Sequence, residues 1–224
     1  MTDIIYEDNS IIVIFKPAGL ATQTANIAQP DCVSLIREHI HKSNPASGQE
    51  PYVGIIHRLD QPVAGLLVFA KDRKSAAELS RQVQSDMMNK HYLAMVEGIV
   101  DVASDTILEN SMYKDASAGK ALITDDSAKA PGNAKVRKAT LIYHTERILE
   151  EENKTILSIK LVTGRFHQIR AQLSHMGHPI AGDRKYGAVT TYPSGIALVA
   201  DRISFTHPAS GEKVEKAVDF SFAL

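Results

Sequence analysis

The sequence predicts an α+β fold in which helices and loops flank a largely antiparallel mixed sheet. Three observations support this class: strand-like runs outnumber helical ones, the turns between them are short, and regular strand–helix alternation is missing. The 224 residues contain no internal repeat and no linker rich in Pro or Gly. We therefore predict a single domain that spans residues 1–224.

The first ninety or so residues alternate between apolar runs and candidate helices. Four runs have the length and composition of strands: 4–6, 11–15, 52–56 and 65–70. Residues 30–31 can start a helix, because apolar residues then recur at helical spacing. Asp72 can cap a second helix, which we predict to run to about Met87.

The second half of the chain is richer in strands than the first. Alternating or apolar runs predict strands at 90–96, 155–162, 196–199, 203–206 and 213–217. Residues 101–138 are polar and weakly patterned, so we expect only short strands there and no catalytic content. A helical apolar stripe runs from Phe166 to Met176, and Gly177 can end that helix. Arg165 therefore falls at a strand-to-helix junction.

Charge is nearly balanced over the chain but unevenly distributed along it. The formal net charge is −1 at pH 7, so no global field attracts nucleic acid. Between Lys154 and Tyr186, however, six basic residues accompany a single acid, Asp183. A protein with a net charge near zero can therefore still have a basic surface at its functional site.

Two further features bear on the cellular setting. No apolar run approaches the roughly 18 residues of a membrane span, and the N-terminus does not resemble a signal peptide. Cys32 is the single cysteine, which excludes an intramolecular disulfide and fits a reducing compartment. We expect a cytoplasmic protein with no membrane partner.

The stretch His57-Arg58-Leu59-Asp60 lies between two predicted strands, just before the turn at Gln61-Pro62. A carboxylate there is poorly placed for packing and well placed for chemistry, because a sheet holds it rigidly beside an open turn. These four residues fit equally well a carboxylate that merely caps the turn.

Several short motifs occur in a specific order. They are His57-Arg58-Leu59-Asp60 with Gly65-Leu66-Leu67-Val68-Phe69-Ala70-Lys71, Lys90-x-Tyr92-x-Ala94-x-Val96-x-Gly98, Gly164-Arg165-x-His167-Gln168-Ile169-Arg170 and His178-Pro179-Ile180-x-Gly182-Asp183. Lys16-Pro17-Ala18-Gly19-Leu20 precedes them and His207-Pro208-x-x-Gly211 follows. Each motif is weak alone, but together they closely resemble the RluA-type pseudouridine synthases. The resemblance covers nearly the whole chain as a catalytic domain, and we expect no S4-like RNA-binding domain before it.

The resemblance implies the pseudouridine synthase fold and an isomerase that acts on RNA. Such an enzyme moves the base of a uridine from an N1 to a C5 glycosidic link without a cofactor. Asp60 is the implied essential carboxylate, either as nucleophile at C1′ or as base at C2′ of the ribose. Tyr92 is implied to pack against the target uracil and to assist proton removal from C5. Arg165 is implied to pair with Asp60, and Arg58 to enter the RNA beside the flipped base.

These implied roles agree with elementary chemistry. Breaking a glycosidic bond leaves positive charge at the anomeric carbon, which an ionised carboxylate stabilises or traps. A guanidinium in contact keeps such a carboxylate charged. A uracil inside a duplex is out of reach, so it must flip out and stack on a flat side chain.

The predicted RNA contacts come from basic and histidine side chains near the motifs. They are His57, Arg58, Lys90, His167, Arg170, Arg184 and Lys185. The partner implied is a tRNA or rRNA stem-loop with a flipped uridine, bound by a monomer. The chain departs from the family at residues 61–64, where Gln-Pro-Val-Ala replaces a pattern that usually includes Thr-Ser, and at Val199, where His is common. These departures affect the expected substrate preference.

Other interpretations remain open at this point. Tyr92 also fits a plain strand aromatic, and Arg165 a phosphate contact at a helix N-terminus. His175, His178 and Asp183 have a metal-like spacing, but across a Gly-Pro turn they make a poor tetrahedral set, so we predict no metal site. A catalytically inactive RNA-binding relative and an RNA N-glycosidase that releases uracil are the rival functions.

Overall fold

The computed structural model describes residues 2–26, 28–43, 48–124, 130 and 134–223. Within them it has eleven strands and three α-helices, which confirms the predicted α+β class. None of the helices in the described part of the chain is long and apolar enough to cross a membrane. The chain divides into unit 1 (residues 1–89 and 200–219) and unit 2 (residues 90–199 and 220–224). The single domain over residues 1–224 stays a prediction.

Unit 1 is built on strands whose centre is completely buried. They are β1 (Asp3–Glu7), β2 (Ile11–Lys16), β3 (Gly54–Ile55), β4 (Ala64–Ala70), most of β10 (Leu198–Thr206) and β11 (Lys213–Ala217). β2 pairs antiparallel with β1 and β4, β3 pairs with β4, and β11 pairs with β10. All residues of 11–14 and 67–70 are 0% exposed. Burial on both faces explains why these strands are continuously apolar rather than alternating.

The helices of unit 1 begin where their caps predict. α1 (Cys32–Ser43) follows Asp31, whose carboxylate accepts the Ser34 N–H at 2.7 Å. α2 (Arg73–Gln84) follows Asp72, which accepts the N–H of Ser75 in the same way. The predicted end of α2 at Met87 is wrong. The left-handed backbone of Asp86, with φ of 55°, stops the helix.

Three strand predictions need correction. The run 52–56 pairs only at β3, and the runs 196–199 and 203–206 belong largely to one continuous strand, β10. Gly65 allows β10 to pass close to β4. It has φ of 132°, and a Cβ there would lie 2.4 Å from the Ala200 nitrogen.

Unit 2 consists of antiparallel strands covered by a short helix. In spatial order the strands are β5 (Asn89–Glu97), β9 (Lys154–Leu161), β8 (Arg137–Leu149), β6 (Thr106–Asp115) and β7 (Lys120–Ile123). The predictions for 90–96 and 155–162 are confirmed to within two residues. β6 is ten residues long, so the expectation of only short strands between residues 101 and 138 is wrong.

The helix α3 (Gln168–His175) is shorter than the predicted apolar stripe. Its C-terminus is as predicted: Gly177, with φ of 89°, donates its N–H to Ser174 O, and the next N–H reaches Leu173 O. Its N-terminus differs, because His167 has a left-handed backbone with φ of 51°. Phe166 therefore lies outside the helix and is 41% exposed.

Candidate active site

Both neighbours of Asp60 are held by the loop that follows β2. The Thr22 hydroxyl donates to Leu59 O at 3.0 Å and accepts the Leu59 N–H at 3.2 Å. On the other side, Gln61 O accepts the Gly19 N–H at 2.8 Å, and the Gln61 amide donates to Gly19 O at 2.9 Å. Asp60 itself is half-buried at the start of a turn, where its carbonyl accepts the Val63 N–H. The backbone at Asp60 is therefore fixed from both sides.

The hydrogen bonds that hold Leu59 and Gln61 are here called the clamp around Asp60. Lys16 supports this clamp from within the core, although the sequence did not predict it as a site residue. Its side chain is 0% exposed, and its ammonium donates to the carbonyl oxygens of Pro17, Leu20 and Gln61 at 3.0, 2.8 and 3.1 Å. Burial lowers the pKa of Lys16 to about 8, and the negative charge of Asp60 opposes this shift. Lys16 and Asp60 thus lie within electrostatic reach. A lysine at the end of an apolar strand was the available signal.

The other predicted residues of unit 1 flank Asp60 differently. The His57 Nε2 accepts the Val68 N–H at 3.4 Å, a long bond that places its ring against β4. Arg58 is exposed. The departure at residues 61–64 has a structural use, since Gln61 bonds to Gly19 and Val63 is only 3% exposed.

Tyr92 and Lys90 lie on β5, in unit 2. Tyr92 is 6% exposed and pairs in register with Ile159 of β9. Lys90 pairs with Leu161, near the end of β9. Its ammonium lies 3.6 Å from the position that a Cβ on Gly164 would take, which places Lys90 beside the turn that carries Arg165.

Gln168 positions the backbone of Arg165. Its side-chain oxygen accepts the Arg165 N–H at 3.0 Å and the Thr163 hydroxyl at 2.8 Å, while its amide donates to Thr140 O at 3.1 Å. Arg165 is exposed, and its Nε donates to Lys138 O at 3.1 Å. The predicted position at a strand-to-helix junction is confirmed, and the pairing with Asp60 stays a prediction.

His167 is braced against Tyr186. Its Nδ1 lies 2.9 Å from the Tyr186 hydroxyl, which also accepts the Ala121 N–H at 2.7 Å. Because the hydroxyl already accepts one bond, it can donate its own proton to the histidine nitrogen. The ring of His167 stacks on Phe166 with centroids 3.8 Å apart.

Arg170 differs from the RNA contact expected of it. It is 5% exposed and makes a bidentate pair with Asp183, which is 1% exposed. Its Nε and Nη2 donate to the two carboxylate oxygens at 2.6 and 2.9 Å. A guanidinium buried and paired in this way is not accessible to a phosphate, and its loss would leave the Asp183 carboxylate buried without its partner. We therefore leave Arg170 out of the proposed RNA contacts.

Arg184 and Lys185 are both exposed, on a short 3₁₀ turn (Arg184–Tyr186). Two of the three residues with metal-like spacing are engaged elsewhere: His178 Nδ1 bonds to Glu97 O at 2.9 Å, and Asp183 to Arg170. Among the described residues, no group of three or more His, Cys, Asp or Glu side chains is arranged to hold a metal ion.

Together, the geometry divides the candidate residues between the units. Unit 1 holds Asp60 with His57, Arg58 and the unpredicted Lys16. The remaining candidates belong to unit 2: Lys90, Tyr92, Arg165, His167, Arg170, Arg184 and Lys185. A fixed carboxylate suits glycosidic chemistry, and exposed cations with aromatic rings suit RNA.

Comparison with known proteins gives concordant matches. The sequence model described as RNA pseudouridylate synthase matches residues 10–175, a range that includes Asp60, Tyr92 and Arg165. The chain is 35% identical, over 219 residues, to ribosomal large subunit pseudouridine synthase D of Nitrosomonas europaea, covering 93% of this chain and 59% of that protein. It is 30% identical to an uncharacterised RNA pseudouridine synthase, YhcT, of Bacillus subtilis, covering 97% of this chain and 68% of that protein.

A solved structure has the same fold. The human RNA pseudouridylate synthase domain containing 1 aligns with a TM-score of 0.73 and 21% identity, covering 98% of this chain and 84% of that chain. The chain thus spans most of that structure, but less than two thirds of the length of the Nitrosomonas relative.

Proposed function

Since the chain belongs to the RNA pseudouridylate synthase family, as its motifs indicated, we propose that it isomerises a uridine within RNA to pseudouridine. The observation that carries this proposal is the clamp around Asp60. Leu59 and Gln61 are bonded to Thr22 and Gly19, and the buried Lys16 ammonium lies within electrostatic reach of the carboxylate. A carboxylate held so firmly is suited to act on one atom of a bound ribose.

In the proposed reaction the bond between N1 of uracil and C1′ of the ribose breaks first. Asp60 assists in one of two ways, as a nucleophile that bonds to C1′ or as a base that removes the C2′ proton. The uracil then turns and C5 bonds to C1′. If Asp60 acted as nucleophile, this step breaks the Asp60–C1′ bond and frees the carboxylate; if it acted as base, it returns the proton to C2′. The C5 proton is released and N1 gains one. Atoms and electrons balance without an oxidant or reductant, so the proposal includes no cofactor.

Tyr92 and Arg165 have proposed roles in the same reaction. Tyr92 packs against the flipped uracil and assists removal of the C5 proton, and Arg165 pairs with Asp60. Arg58 enters the RNA beside the flipped base. His57, Lys90, His167, Arg184 and Lys185 are the further proposed RNA contacts. The proposal treats units 1 and 2 as one catalytic domain.

The proposed substrate is a stem-loop in structured RNA. The name of the Nitrosomonas relative, a ribosomal large subunit pseudouridine synthase, favours ribosomal RNA over tRNA. We further propose that the protein acts as a monomer and in the cytoplasm, the compartment that fits its single cysteine.

Product analysis tests the proposal. Large-subunit ribosomal RNA transcribed in vitro with [5-³H]uridine is incubated with the protein, and both the released tritium and the digested nucleosides are measured. We expect tritium release with an equal amount of pseudouridine in the RNA. Free uracil without pseudouridine would identify an N-glycosidase instead. RNA that is bound but unchanged would identify a binding protein, provided that a tRNA transcript is also unchanged.

A further inference from the structure

Unit 2 carries a group of exposed and half-buried cations and rings beside the turn between β6 and β7. We propose that Lys114, Lys120, Phe166, His167 and Lys185, here called the basic–aromatic surface, bind an unpaired segment of the RNA substrate by stacking a base on Phe166. This inference rests on the proposed function for the identity of the RNA. It also assigns a role to residues 106–123, where the sequence predicts no catalytic content.

Phe166 is the ring that we expect to meet a base. It is 41% exposed, although its apolar neighbours along the predicted stripe, Ile169 and Leu173, are 5% and 0% exposed. Its ring is nearly parallel to that of His167, with 18° between the planes and 3.8 Å between the centroids. A large apolar ring left on the surface contributes little to the fold, whereas every nucleobase offers a face that can stack on it.

The support beneath Phe166 is rigid. His167 is held by the hydroxyl of Tyr186, and that hydroxyl also accepts the backbone N–H of Ala121 in β7. Tyr186 is 8% exposed and packs edge-on against His167, with centroids 5.6 Å apart. The stacked pair is therefore tied to both α3 and the β6–β7 hairpin. Because the rings are already held in place, binding a base costs little conformational entropy.

Three lysines surround these rings. The Lys114 ammonium lies over the ring of Phe166, 4.7 Å from its centroid, so a base that stacks on this ring displaces that flexible side chain toward the phosphates. The Lys120 ammonium lies 5.9 Å from the centroid of Tyr186. The Lys185 ammonium lies 3.3 Å from where a Cβ on Gly119 would be, at the tip of the hairpin. The lysines come from two strands and a 3₁₀ turn, so only the fold brings them together.

The acids near these lysines leave the surface positive. Asp115 is engaged in the hairpin turn, where its carboxylate accepts the N–H groups of Ser117 and Ala118. Asp183 is buried against Arg170. Lysines alone would also suit an acidic peptide. An exposed, braced ring among them favours single-stranded RNA, which supplies phosphates and bases at once.

The test measures binding of a fluorescein-labelled 12-nucleotide oligoadenylate over a range of salt concentrations. Phe166→Leu keeps an apolar side chain but removes the stacking face, so we expect about tenfold weaker binding with an unchanged salt slope. Phe166→Tyr, the matched control, should bind within about twofold of wild type. Lys114→Gln with Lys120→Gln should reduce the magnitude of the negative slope of log affinity against log salt by about 1.4, or about 0.7 per phosphate contact. Lys213→Gln, an exposed lysine of unit 1, should leave the slope unchanged.

Three results would overturn the inference: wild-type affinity for Phe166→Leu, equal losses for the Leu and Tyr variants, or an unchanged slope for the double lysine variant. Polyglutamate competing as strongly as oligoadenylate would indicate an acidic protein partner instead. Circular dichroism checks that each variant is folded. Because binding is measured without turnover, these failures are distinct from failure of the proposed function, which product analysis detects.

Discussion

Units 1 and 2 handle charge in opposite ways. Unit 1 places the ammonium of Lys16 inside a core of apolar strands and satisfies it with three backbone carbonyls. Unit 2 buries a cation only together with its counterion, in the pair of Arg170 and Asp183, among the residues that the structure describes. Its other cations near the family motifs include Arg165, Arg184 and Lys185, which lie at the surface.

This difference indicates how the proposed functions, catalysis and RNA binding, are divided between the two units. A buried ammonium is costly, and it is retained in unit 1 where it fixes the loop around Asp60. Exposed cations cost little and attract phosphates, which is what unit 2 offers. Substitutions around Asp60 should therefore change the rate of reaction, and substitutions on the surface of unit 2 should change RNA affinity.

The largest change in stability should follow from breaking the buried pair of unit 2. Arg170→Met leaves Asp183 charged and without its guanidinium, so the free energy of unfolding should fall by about 3–5 kcal/mol. Urea unfolding measures it, followed by circular dichroism because the chain has no Trp. Arg184→Met, an exposed control, should change stability by less than about 0.5 kcal/mol. Equal stability of the two variants would contradict the structural role of Arg170.

A somewhat smaller effect should come from Lys16, and it should depend on pH. Its pKa is lowered from 10.5 to about 8, so the unfolded chain binds more protons between these values. Burying the charged ammonium lowers the free energy of unfolding by roughly 3 kcal/mol, the value that corresponds to this difference in pKa. This loss of stability is fully present below pH 8 and disappears as the pH rises toward 10.5. Wild type should therefore gain stability relative to Lys16→Met by up to about 1.4 kcal/mol per pH unit above pH 8.

The control for Lys16 is Lys42→Met, because the Lys42 side chain is 71% exposed. Its stability difference from wild type should stay flat between pH 8 and 10. A flat difference for Lys16→Met as well would mean that Lys16 is solvated, and unit 1 would then not differ from unit 2 in its treatment of charge.

Arg165 should have an intermediate effect, on turnover. Arg165→Lys keeps the charge but loses the planar fork and its Nε bond to Lys138 O, so we expect about tenfold slower single turnover with RNA affinity within about twofold. Arg147→Lys, on the exposed part of β8, should match wild type. If the affinity falls and the saturated rate does not, Arg165 is a phosphate contact and belongs with the surface cations.

The smallest effect should be on the salt dependence of binding. Replacing Arg184 and Lys185 by Gln should reduce the magnitude of the negative slope of log affinity against log salt by roughly 1.4–1.8, at about 0.7–0.9 per phosphate contact. Lys42→Gln with Lys74→Gln, a matched pair of exposed lysines in unit 1, should leave the slope unchanged. Equal slopes in both double variants would remove Arg184 and Lys185 from the RNA surface.

Local signals predicted much of the fold. The Asp72 cap, the Gly177 turn and the apolar runs of β2 and β4 each determine their element through neighbours in the sequence. Errors arose where a backbone angle overrode a side-chain pattern. The positive φ of Asp86 and of His167 shortened two helices, and no periodicity of apolar residues reveals such an angle.

The candidate site was predictable only in part. Motif order identified Asp60, Tyr92 and Arg165 as candidates, but not what surrounds them. Arg170 looked like a cation for RNA because its partner Asp183 is thirteen residues away. Lys16 contacts Gln61 across 45 residues. Such pairings depend on tertiary packing, which sequence spacing does not encode.

The most direct test of this account compares Asp60→Asn with wild type in two measurements on one labelled RNA: the dissociation constant, and the single-turnover rate at saturating protein. Asn keeps the size of the side chain and removes its charge. We expect the rate to fall at least about a thousandfold while the dissociation constant stays within about threefold. Asp101→Asn, an exposed control, should match wild type in both. Near-wild-type turnover by Asp60→Asn would contradict the assignment of Asp60 as the essential carboxylate.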